Sequence, residues 1–202
     1  TSDVATGETL RFASGSVTWS YRPPDPLDGQ QNAVAAVRRQ ASLTVPGNTG
    51  LNFLARRFRI WTEFELSDAS WNRWYLGVFA TSTPTLADDS VTLTRTLSLA
   101  DKSYRWSQTT LTDPVHLNAD QTAIPWVKAA LALRFNETRF AIAGDATATV
   151  GGNGLTFDSG TDLLTVYSTV LGVIGNDQLT TNETGAAASQ PLSTIAGRGI
   201  SA

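Results

Sequence analysis

Glu63 and Glu65 stand two residues apart in the stretch Arg-Phe-Arg-Ile-Trp-Thr-Glu-Phe-Glu-Leu, residues 57–66, with Trp61 before them and Asp68 after. Side chains alternate across an extended chain, so Trp61, Glu63 and Glu65 share one face of a strand. Two carboxylates beside an indole that can stack on a sugar ring are what a glycan-cleaving or carbohydrate-binding sheet needs. Trp71 and Trp74, close by in sequence, would enlarge such a platform. Arg57 and Arg59 fall on the same face, however, and cross-strand charge pairing accounts for the acids equally well. Carbohydrate recognition through Trp61, Glu63 and Glu65 is therefore the alternative expectation, not the leading one.

Other candidate chemistry is thinner. His116 is the single histidine. That excludes a zinc site built from several histidines, and no Gly-x-Ser-x-Gly sequence offers a nucleophile, so His116 reads as an ordinary loop residue. Asp88-Asp89 and the acids between 158 and 162 lack the spacing of a calcium loop and read as solvated turns. Gly151-Gly152-Asn153-Gly154 is not followed by the Lys-Ser/Thr of a phosphate loop. Asn136 and Asn182 open glycosylation sequons, which matter only in a eukaryotic secretory route. No catalytic residue, cofactor or metal ligand is assigned.

Composition narrows the class. Only 16% of the 202 residues are charged, and the net charge is -3, which argues against a nucleic-acid surface. Cys and Met are both absent. Stability must then come from burial and assembly, not disulfides. A start at Thr1 is expected of a processed or excised chain. No apolar run is long enough to span a bilayer as a helix.

The elements that must position these residues read as strands. Residues 57–66 form the organising strand, with Phe58, Ile60, Thr62, Phe64 and Leu66 on the buried face; its length places it centrally in a sheet. Residues 16–22 and 42–45 are further strands. Residues 74–81 are apolar on both faces, so both should be covered. In residues 90–99 Arg95 interrupts the apolar face and predicts that one end of that strand lies at an edge. Residues 104–112 and 139–143 add shorter strands, as do residues 155–157. The alternation of Val127, Ala129, Leu131, Leu133 and Phe135 predicts a second strong strand over 126–135. Residues 163–174 read as a buried strand. No repeat of the propeller or solenoid kind is evident.

The expected fold is all-β: an antiparallel, jelly-roll-like β-sandwich over residues 9–175. An arm precedes it (1–8), and a tail follows it (176–202) whose small, polar composition cannot bury a core. Ordering such ends costs entropy that neighbouring subunits can offset. The leading functional expectation is a non-enzymatic structural subunit of a large symmetric assembly. A virus or phage particle is the preferred setting, as a capsid, capsid-attached or tail component. Its partners would be copies of itself and other particle proteins, with Trp71, Trp74, Tyr75 and Phe79 at the interface and neither nucleic acid nor a membrane span involved. Under the carbohydrate alternative the partner is a glycan and the setting extracellular or at the cell surface.

Overall fold

The computed structural model describes residues 14–19, 39–46, 57–88, 93–182 and 184–192. The expected N-terminal arm lies outside them. The chain is mostly β and its principal sheet is antiparallel and curled. It forms two compact units, not the one domain expected from the absence of a linker.

Unit 1 is a five-stranded sheet. Its strands are β1 (Ser14–Trp19), β2 (Arg39–Pro46), β3 (Arg57–Glu65), β4 (Trp71–Asp88) and β5 (Leu93–Asp101), in the spatial order β1-β2-β5-β4-β3. Every neighbouring pair is antiparallel. Two expectations are overturned here. The 57–66 strand lies at an edge, and the strand carrying Arg95 lies at the centre. Length and alternation report the strand itself; its place in the sheet depends on partners far away in sequence. The apolar face of β3 is also less buried than its pattern suggests, because Ile60 is buried but Phe64 is half exposed.

The sheet gathers Ala41, Leu43 and Val45 of β2 with Ile60, Phe79, Leu97 and Leu99 into one cluster, against which Val17, Phe58 and Leu76 pack. Where a sandwich was expected, the described strands of this unit make a single curled sheet. Val78 and Phe79 are consecutive and both buried, so the middle of β4 is covered on both faces, but Trp74 and Tyr75 of the same apolar run, expected to be covered too, are exposed.

Unit 2 corrects three strand expectations. Residues 102–107 form α1 (Lys102–Ser107), residues 123–135 form α2 (Ala123–Phe135) and residues 163–173 form α3 (Leu163–Val173). In α2 the buried residues are Ala123, Ile124, Val127 and Leu131. That is a helical stripe, and Lys-Ala-Ala-Leu-Ala-Leu-Arg has strong helix propensity. Leu133, assigned to the core by strand alternation, is 87% exposed. Asn136 closes α2 in the left-handed region, with its N–H on the Leu131 carbonyl. Asp162 caps α3, its carboxylate accepting from the Thr165 N–H at 2.9 Å.

Each of the two longer helices follows a short strand and a turn. β6 (Val115–Leu117) leads to α2 as β8 (Leu155–Phe157) leads to α3. Val115 and Leu155 are 40 residues apart, and so are Ala123 and Leu163. β6 and β8 pair antiparallel with His116 opposite Thr156, its own counterpart. An approximate two-fold axis therefore passes through the middle of that pair. The helices pack through Trp126 on Tyr167, with ring centroids 5.9 Å apart and near edge-on. Trp106 of α1 lies against Phe135 at 6.4 Å.

Residues 176–192 were expected to be part of a loose tail. Residues 176–182 and 186–192 are instead built into this unit. β9 (Thr180–Thr181) and β10 (Ala187–Ser189) join β7 (Phe140–Ile142) in a sheet ordered β7-β10-β9. Leu179, Thr181, Ala187 and Ser189 are buried. The Asn176 amide donates to the Ala143 carbonyl at 2.7 Å, and the Ser189 hydroxyl to the Asp177 carbonyl at 2.6 Å. Small side chains make this burial possible, since they let strands approach closely. Residues 193–202 lie outside the described set.

Gly154 adopts a positive φ of 79°, and a Cβ there would run into the Leu117 carbonyl. Gly154→Ala should therefore weaken the β6–β8 pair and destabilise the unit by about 2 kcal/mol or more. Thermal melting and faster amide exchange in both strands would report it.

Tyr167 is 1% exposed, and its hydroxyl has no hydrogen-bond partner among the described residues. Burial pushes its pKa up to about 12, with the Arg134 charge opposing. The folded chain thus holds this proton more tightly than the unfolded chain. That contribution is intact below pH 10 and lost as the pH rises through 12. In an absorbance titration Tyr167 should ionise late, and Tyr167→Phe should remove that late step. The same variant should match or exceed the parent's stability by about 1 kcal/mol, since no bond is lost and an unpaired buried hydroxyl is removed.

Candidate functional site

The β3–β4 hairpin carries most of the residues singled out from sequence. Its turn is short. The Leu66 N–H bonds the Ser70 carbonyl at 2.7 Å and the Ala69 N–H bonds the Leu66 carbonyl at 2.9 Å, which leaves three residues in the loop. Ala69 takes the left-handed conformation such loops require, at φ 62°. Asp68 clamps the turn, its carboxylate accepting from the Ser70 hydroxyl at 2.6 Å and the Ser70 N–H at 2.9 Å. Those two bonds, the hydroxyl first, hold its pKa below the usual carboxylate value.

Register sorts the side chains. Trp61 faces Tyr75, Glu63 faces Arg73 and Glu65 faces Trp71, which puts these six on one face. Thr62 faces Trp74 and Phe64 faces Asn72, on the other. The three tryptophans therefore do not form one platform: Trp61 and Trp71 share a face and Trp74 points away from it.

Arg73 organises the first face. Its Nη2 lies 2.7 Å from Glu63 Oε1, and its Nε donates to the same oxygen at 2.9 Å. The guanidinium sits 4.9 Å from the Trp61 ring centroid. The Trp61 indole N–H also donates to Glu63 Oε1, at 3.2 Å. Hydrogen bonding to Glu63 and then to Tyr75 holds the Arg73 pKa above its ordinary value. Arg59 repeats the motif over Tyr75, 5.6 Å from its centroid. So Glu63 is held by a cation, and a cation lies on the ring a sugar would stack upon. Sequence reasoning placed Arg57 and Arg59 on this face but did not find Arg73, whose partner becomes evident only from the strand register.

Exposure divides the expected interface. Trp71 is 64% exposed and Trp74 62%, and Tyr75 is partly exposed. Phe64 and Leu66 join them. Phe79 does not: it is wholly buried in the core of unit 1 and cannot meet a partner. A cleft of about 310 Å³ opens between the sheet's two edges, bordered by Gly15, Ser16 and Val17 of β1 and by Ile60, Trp61 and Thr62 of β3.

In unit 2, His116 accepts or donates at Nδ1 to the Thr156 hydroxyl at 2.8 Å, an exposed cross-strand contact. Asp162 serves as a helix cap. Among the described residues no three His, Cys, Asp or Glu side chains are grouped to hold a metal. No helix among them is long and apolar enough to cross a membrane.

The fold is shared with tail proteins. A tail protein from Neisseria meningitidis MC58 matches with a TM-score of 0.53 at 8% identity, over 75% of this chain and 41% of that one. The 43 kDa tail protein of prophage MuSo2 from Shewanella oneidensis matches with a TM-score of 0.51 at 12% identity, over 77% of this chain and 48% of that one. The chain thus spans less than half the length of either protein. At these identities the likeness is one of fold. No family model matches the sequence, and no curated protein does.

Ala69→Gly should relieve the left-handed strain at the hairpin turn and stabilise it by about 1 kcal/mol. Slower amide exchange in β3 and the paired half of β4 is the expected readout.

Proposed function

We propose that this chain is a non-enzymatic structural subunit of a phage tail, working beside copies of itself and other tail proteins in the virion. The observation that carries the proposal is the shared fold: about three quarters of the chain superimposes on each of two tail proteins. Composition supports it too, through low charge, the absence of Cys and a Thr-rich β framework. So does the hairpin at one end of unit 1, which exposes Phe64 and Trp74 on one face and Trp71 on the other. Aromatic side chains so displayed are the usual anchors of protein contacts. Among the particle roles open from sequence, the neighbours favour tail over capsid. The glycan alternative gains no comparable support, because Arg73 occupies both Glu63 and the Trp61 ring.

Deleting the coding region from its phage or prophage and inducing particles provides the test. Electron micrographs should show heads with missing or incomplete tails, and the chain supplied in trans should restore them. Normal, infectious tails in the deletion would overturn the proposal.

A further inference from the structure

The outer edge of β3 carries a charge pattern that is complementary to itself. Reading along the strand, Arg57 and Arg59 precede Trp61, and Glu63 and Glu65 follow it at the same distances. All five share one face, because every second residue of a strand does. Turn a second β3 antiparallel against the first, centred on Trp61, and each arginine faces a glutamate of the other copy: Arg57 with Glu65 and Arg59 with Glu63, twice over. The opposite face matches as well, with Phe58 against Phe64.

Other alignments do worse. A parallel, in-register pairing sets like charges together. Sliding the antiparallel pair by two residues loses half the ion pairs, and sliding by one sets charges against the apolar face.

The edge is also open to such a partner. Among the described residues β3 pairs only with β4, as the end strand of its sheet. Edge strands are usually blunted by charged side chains, lysine above all, by proline or by a bulge, and the charges of β3 are the ones that an antiparallel copy would match. β3 has no lysine or proline, and the irregularity at Ile60/Trp61 falls on the β4 side, where Leu76 is the extra residue. The 310 Å³ cleft lies between the middle of β3 and β1.

We infer that β3 is a self-association edge, and that two copies of this chain pair antiparallel through it about a two-fold axis at Trp61. The inference does not rest on the tail proposal, and either can fail alone.

The chain has no cysteine, so single cysteines report the register cleanly. Antiparallel partners place their Cα atoms about 4.5–5.5 Å apart, within disulfide reach. In the full chain under mild oxidation, Trp61→Cys should cross-link to a covalent dimer. Glu65→Cys alone should not, whereas Glu65→Cys mixed with Arg57→Cys should. Charge reversal gives an independent measure by sedimentation equilibrium. R57E/R59E and E63R/E65R should each weaken the dimer roughly tenfold or more, and an equimolar mixture of the two should regain it. Circular dichroism confirms that each variant is folded. A parent chain that stays monomeric at all concentrations, or a dimer that cross-links equally well through Glu65→Cys alone, would overturn the inference.

Discussion

Ala41 faces Leu99 and Leu43 faces Leu97 across the β2–β5 ladder, and the curled sheet depends on that register. All four are buried. A slip of one residue would turn this set outward and bring Ser42, Thr44, Thr96 and Ser98 into the core, leaving their hydroxyls to find partners there. The chain has no cysteine to pin either strand by a disulfide, so the fit of apolar side chains is the restraint. β4 lies beside β5 and β1 beside β2, and β3 is outermost, beyond β4.

That order explains why the hairpin can be so unlike the rest of the sheet. Beyond Gly77 the β3–β4 ribbon no longer needs to cover the core, and its side chains serve the surface. Arg73, Glu63 and Trp61 knit one face together by charge and ring contact. On the other, Phe64 and Trp74 remain exposed. A three-residue loop clamped by Asp68 keeps the ribbon's end short. Rigidity there is supplied locally, and the apolar end is displayed on a firm support.

Much of unit 1 was legible in the sequence. Each strand expected among the described residues of that unit exists, because alternation of apolar and polar side chains is a local property that pairing merely uses. Strand order was not legible: β3 looked central and β5 looked peripheral, and both were reversed. Unit 2 misled the reading for a different reason. Val127, Leu131 and Phe135 satisfy a period of two and a spacing of four alike, so only the helix-forming composition of 123–135 separates the alternatives. In α3 seven of the eleven positions are buried, a stripe broad enough for the run to read as a buried strand. The strand–turn–helix duplication left little trace, since its two copies share apolar positions more than identities. Of the candidate site, the face holding Trp61, Glu63 and Glu65 was correctly drawn. Phe79 was misassigned because a buried aromatic and an interface aromatic look the same in one dimension.

The duplication in unit 2 has placed its two copies in unequal surroundings. α3 sits in the interior, with Leu163, Leu164, Val166, Tyr167, Val170 and Leu171 all enclosed. α2 keeps one narrow stripe inside and turns Leu133 outward. Mutational drift must then run at two speeds within one motif. The exposed positions of α2, Pro125, Ala129, Ala132, Leu133 and Arg134, are at liberty to change their chemistry, while its twin is confined largely to swaps that preserve volume. Comparing the halves of such a duplication in divergent relatives would show one copy preserved as a fossil of the original sequence and the other rewritten around it.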